Sequence, residues 1–145
     1  MRLAGGLLLA VLFFGLSGCV TSDPLGHAYA LKEAQKRYTK AIRWGDLEMA
    51  ARYVDPELRK DFLALASPFE QVRITDYEIG ELDVEEEELT SAEVDVTYRG
   101  YVLPHFVEHR VLDRQVWTRE EGMSSVWRVA PDLPALMRGL SGADG

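Results

Sequence analysis

The 145-residue chain carries one cysteine, so no internal disulfide can form and a stapled secreted mini-protein is excluded. Basic side chains are few, 16 Lys and Arg against 24 Asp and Glu. That balance leaves no electrostatic footprint for nucleic acid, whose binding needs cations that neutralise phosphates. Long hydrophobic runs are scarce as well. The apolar stretch at residues 3–16 falls short of the roughly 20 apolar residues of a spanning helix. No serine lies in a G-x-S-x-G elbow, and no glycine-rich phosphate loop follows an expected strand. No nucleophile is found, so no catalytic residue, no cofactor and no enzymatic activity are expected. Apolar residues are plentiful, at 47% of the chain, enough for one modest domain with a real core.

The first segment has a function of its own. Met1-Arg2 supplies a positive charge, Leu3 to Leu16 an apolar core, and small residues follow, as in a signal peptide. Its close, Leu16-Ser17-Gly18-Cys19, resembles the lipobox of bacterial lipoproteins, with the only cysteine at the required place. The resemblance implies cleavage between Gly18 and Cys19, a diacylglyceryl group on the Cys19 sulfur and further acylation by chains such as palmitate. Two or three acyl chains exceed the marginal, reversible binding of a single one. Residue 20 influences sorting in such lipoproteins. Val20 there, in place of Asp, implies the periplasmic face of the outer membrane. Residues 1–18 are thus a removed signal and 19–24 a lipidated cysteine and tether. An extended tether reaches only about 3.3–3.6 Å per residue, so the domain is expected to sit close to the bilayer. The mature chain keeps 15 basic and 24 acidic side chains, which makes the lipid, and not a basic patch, its membrane attachment.

Residues 25–138 read as one domain and 139–145 as a frayed, glycine-rich tail. Asp23-Pro24 predicts a helix start. Leu31, Ala34, Tyr38, Ala41 and Ile42 then recur at helical spacing, up to Gly45. Asp46 caps a short helix carrying Leu47, Ala50, Ala51 and Val54, and Asp55-Pro56 opens a third with Leu58, Phe62 and Leu65, stopped at Ser67-Pro68. The period then falls to two. Strands are expected at Val72 to Ile79, around Ala92 to Tyr98, at Val107 to Trp117, and at Ser124 to Ala130 after a tight turn at Arg119–Gly122. The change of face between Ile74 and Tyr77 predicts a bulge, and Pro131 and Pro134 an end to the sheet. Helices followed by strands predict an α+β fold, with N-terminal helices on one face of a curved antiparallel sheet of about four strands. The Trp44-Gly45-Asp46 corner, the Tyr53-Val54-Asp55-Pro56 phrase and the closing Trp127-Arg128-Val129 resemble the nuclear-transport-factor-like, cystatin-like superfamily. That implies a bent sheet enclosing a cone.

Two sets of residues are candidates for chemistry. His105-Phe106-Val107-Glu108-His109 matches H-x-x-E-H, in which a helix would present two zinc-binding His and a Glu base. In a strand, i and i+4 stand about 13 Å apart, too far for one metal. The surroundings read as strand, so no metal site is expected. The carboxylate run Glu85–Glu88 behind Asp83 lacks the spacing of a calcium loop and reads as a solvated hairpin tip. The second set is Tyr98, Trp117 and Trp127, inward-facing aromatics able to line a ligand pocket or a catalytic cone of the ketosteroid-isomerase type. Outward Arg99, Arg110, Arg114 and Arg128 with Glu93, Asp95, Glu108 and Asp113 predict a mixed-charge sheet face. The leading expectation is a lipid-anchored, non-enzymatic domain that contacts an envelope protein or peptide through that face.

Overall fold

A computed structural model describes residues 26–82 and 89–143. The signal segment, Cys19, the Asp23-Pro24 cap and the acidic run 83–88 lie outside the described residues.

The first described element is α1, His27–Trp44, which ends at Gly45 with φ 72°. That left-handed geometry suits glycine, and the Gly45 N–H returns to helix carbonyls to close the last turn. Leu31, Tyr38, Ala41 and Ile42 are buried, and so are Gln35 and Thr39 on the same side. Asp46 then caps α2, Leu47–Ala51, its carboxylate accepting from the Met49 N–H at 3.0 Å. Asp55 caps a tight turn, accepting from Glu57 N–H at 3.0 Å, and α3 begins only at Arg59, ending at Ala64. Ser67-Pro68 does not stop the helices outright. It lies within α4, Ala66–Phe69, a single turn where proline's missing N–H costs little.

Four strands follow: β1 Val72–Ile79, β2 Ser91–Val102, β3 His109–Thr118 and β4 Arg128–Ala130. They form one antiparallel sheet in sequence order. The β1–β2 register slips between Ile74 and Asp76, the bulge that the change of face predicts. Arg43 from α1 holds it by donating to the carbonyls of Ile74 and Thr75. Opposite the bulge, a Cβ on Gly100 would lie 2.3 Å from the Arg73 carbonyl oxygen, so close passage of the strands requires glycine there.

The expected fourth strand is shorter. Residues 124–127 leave the ladder because Arg119 draws the carbonyls of Glu120, Gly122 and Ser124 to its guanidinium. The remaining β4 is sealed on its outer edge by the 53–55 segment, Val129 N–H donating to Tyr53 O and Asp55 N–H to Val129 O. The C-terminal expectation also changes. Asp132 caps α5, Leu133–Ser141, with Pro134 in its first turn, so Gly139, Leu140 and Ser141 are helix and not tail. Leu133, Leu136 and Leu140 are buried, and a Cβ on Gly139 would come within 2.7 Å of Val111, which measures how closely α5 lies on β3.

The result is an α+β fold in which helices pack against one face of an open four-stranded antiparallel sheet. Burying the apolar stripes of α1, α2 and α5 against alternate sheet residues supplies the main stabilising term.

Candidate functional site

The centre of the space between helices and sheet is filled by side chains. Tyr98, Trp117 and Trp127, the expected pocket lining, are 0%, 0% and 1% exposed. The Trp117 ring meets Tyr38 edge-on at 5.7 Å between centroids, Tyr98 meets Tyr77 at 6.3 Å, and the Trp127 indole N–H donates to the His27 carbonyl at 2.9 Å. The rings occupy the place where the sequence allows a cone and serve as core, not as walls of an open pocket.

A polar string crosses this core. Gln115 on β3 is 1% exposed. Its Oε1 accepts from the Trp117 indole at 3.2 Å, and because indole only donates, that contact fixes the amide's orientation. Nε2 then faces Asp113 Oδ2 at 3.2 Å, Tyr98 OH at 3.4 Å and Thr39 Oγ1 at 3.4 Å. Gln35 completes the string, donating to Thr39 at 2.9 Å. Buried polar groups carry a desolvation cost unless paired, so this set specifies how α1 seats on β3. Asp113 is its titratable member. Burial pushes its carboxyl up to about 6, against a lowering by the Gln115 hydrogen bond. Sequence reasoning places Asp113 on the outward face; the structure places it inward, in register phase with Val111, Gln115 and Trp117. Gln35, Thr39 and Gln115 are missed by the sequence reading. Their signal is positional, since Gln35 and Thr39 lie four apart within the Leu31–Tyr38–Ile42 stripe, and Gln115 two before Trp117.

The zinc motif does not form. The Leu103-Pro104 peptide is cis, residues 105–108 form the non-helical connection of β2 to β3, and Glu108 accepts from Thr75 Oγ1 at 2.5 Å. His109 starts β3 opposite Gly100, its ring against Gly142 at the end of α5. Among the described residues no group of three or more His, Cys, Asp or Glu side chains could hold a metal ion.

The outward face differs in kind. Arg114 bridges Asp95 at 2.8 Å and Glu93 at 3.9 Å, Arg110 reaches Glu78 at 3.7 Å, and Arg99 pairs with Asp76. Arg128 instead donates to the Arg52 carbonyl at 2.9 Å. Hydrogen bonds from Arg99 and Arg114 hold the Asp76 and Asp95 carboxyls below the usual carboxylate range. Between these charges stand Leu112, 58% exposed, and Val116, 40% exposed. A separate groove of about 690 Å³ runs between α1 and the end of β1, with Tyr77, Ile79, Leu82 and Val94 as apolar walls and Lys32 and Lys36 at its rim.

The chain matches no model of a known protein family, and no curated protein matches it.

Proposed function

We propose that the protein is an envelope lipoprotein, held by lipid on Cys19 at the periplasmic face of the outer membrane, and that its domain is a non-enzymatic binding module for an envelope protein or peptide. The anchor rests on the Leu16-Ser17-Gly18-Cys19 lipobox. The observation that carries the binding role is the contrast between a helix-covered face packed with aromatic side chains and an outward face that no described residue covers, with Leu112 and Val116 set among paired charges. Such a patch, apolar at its centre and rimmed by oriented charge, suits a partner whose own charges complement the ladder. No described helix is long and apolar enough to cross a membrane, so within this reading attachment depends on the lipid.

Two substitutions test the two halves separately. Cys19→Ala is expected to abolish labelling by fatty acid and the added acyl mass; their persistence refutes the anchor. Arg114→Glu sets a negative charge beside Asp95 and Glu93 and is expected to break association while leaving the anchor intact. An unchanged set of associations refutes the outward face as the binding surface.

A further inference from the structure

The loop from Arg119 to Trp127 presents apolar side chains to solvent, Met123 at 86% and Val126 at 52% exposure, and a folded core gains nothing from them. Yet the loop is held firmly. Arg119 is buried, donates to the carbonyls of Glu120 at 2.7 Å, Gly122 at 3.1 Å and Ser124 at 3.4 Å, and lies over the Trp127 ring at 5.9 Å. At the tip, Gly122 takes φ 94°, and a Cβ added there would meet nothing within 4 Å. A buried guanidinium therefore shapes a loop whose apex points into open space.

Its place in the molecule says what it meets. His27, where α1 begins, bonds through Nδ1 to Ser125 Oγ at 2.8 Å and through its carbonyl to the Trp127 indole at 2.9 Å. The chain thus enters the domain at this loop. Six residues, 20–25, separate Cys19 from Gly26, seven steps with a reach of at most about 25 Å at 3.3–3.6 Å per residue. A second exposed apolar tip, Phe106 and Val107, lies beyond the opposite end of the ten-residue strand β3, roughly 30 Å away at 3.3 Å per residue.

We propose that Met123 and Val126 form a membrane-contacting tip that inserts into the headgroup boundary of the bilayer holding the Cys19 lipid, fixing the domain upright with the 103–108 connection farthest from the surface. This rests on the lipid anchor proposed above. The tether makes the contact intramolecular, so a small apolar tip suffices where it would fail for a free protein. Glu120 and Glu121 flank the tip and are exposed, so the surface it fits is a zwitterionic bilayer, and anionic lipid opposes it.

The test uses the full lipidated protein in phosphatidylcholine–phosphatidylethanolamine vesicles, with an environment-sensitive fluorophore on Met123→Cys or, as reference, on Val107→Cys, and quenching by spin-labelled lipid. The expected result is blue-shifted emission at 123 and quenching several-fold above that at 107. Val126→Glu, or added phosphatidylglycerol, is expected to lower quenching at 123. Water-like emission and equal quenching at both positions, in protein whose mass includes the acyl chains, overturns the tip while leaving the anchor standing. Protein that carries no acyl mass overturns both.

Discussion

Asp95 and Asp113 stand on strands that pair directly, but on opposite faces of the sheet, and their carboxyls are pushed in opposite directions. Asp95 accepts a hydrogen bond from Arg114 in solvent and is held low; Asp113 is pressed between sheet and helices and is raised to about 6. The same residue type thus reports two environments on neighbouring strands. The inward face gains stability from burial and accepts the cost of a few paired polar groups. The outward face is solvated, and its ion pairs contribute little to folding, so packing does not dictate its composition.

Substitutions that break this contrast should scale accordingly. Trp117→Ala removes a fully buried ring and its hydrogen bond to Gln115; the expected loss is about 3–5 kcal/mol in denaturant unfolding. Gln115→Leu leaves the Trp117 indole N–H without its acceptor and is expected to cost about 1–3 kcal/mol by the same measurement. Asp113→Asn tests the sign of burial. A carboxyl raised in the folded state from 3.8 to about 6 binds its proton more tightly when folded, so its stabilising contribution is complete below pH 3.8 and is lost as pH rises through 6. The variant is expected to flatten this pH dependence between pH 4 and 7 and to gain about 1–3 kcal/mol at neutral pH. Arg114→Ala removes solvent-screened ion pairs to Asp95 and Glu93 and is expected to leave the denaturant midpoint close to that of the parent. A large loss there would give the outward face a part in folding after all.

Much of this fold is legible in the sequence because local chemistry and tertiary structure agree. Gly45 and Asp46 end and start helices where their conformational and capping preferences dictate, and the slip from Ile74 to Tyr77 marks the bulge that Arg43 braces. The candidate site is less legible. In Asp113-Arg114 two charged residues are adjacent, and period two sends one of them inward; charge alone cannot say which, and only the phase of Trp117 decides. Helix α5 is obscured by its prolines. Pro131 and Pro134 read as terminators, but Pro134 sits in a first turn capped by Asp132, and Leu133, Leu136 and Leu140 carry the helical spacing. The fourth strand is overestimated because its shortening depends on one side chain, the Arg119 guanidinium, which gathers the carbonyls of the next few residues, a contact that no alternation pattern encodes.

The most direct test of the outward face as a partner surface is photocrosslinking in living cells from a reactive residue at Leu112, with the same residue at exposed Lys40 on α1 as reference. A partner seated on that face predicts one dominant envelope-protein adduct from position 112 that is absent from position 40 and is lost when Cys19→Ala removes the proposed anchor. Adducts of equal yield and identity from both positions, or none from position 112 in lipidated, folded protein, would contradict it.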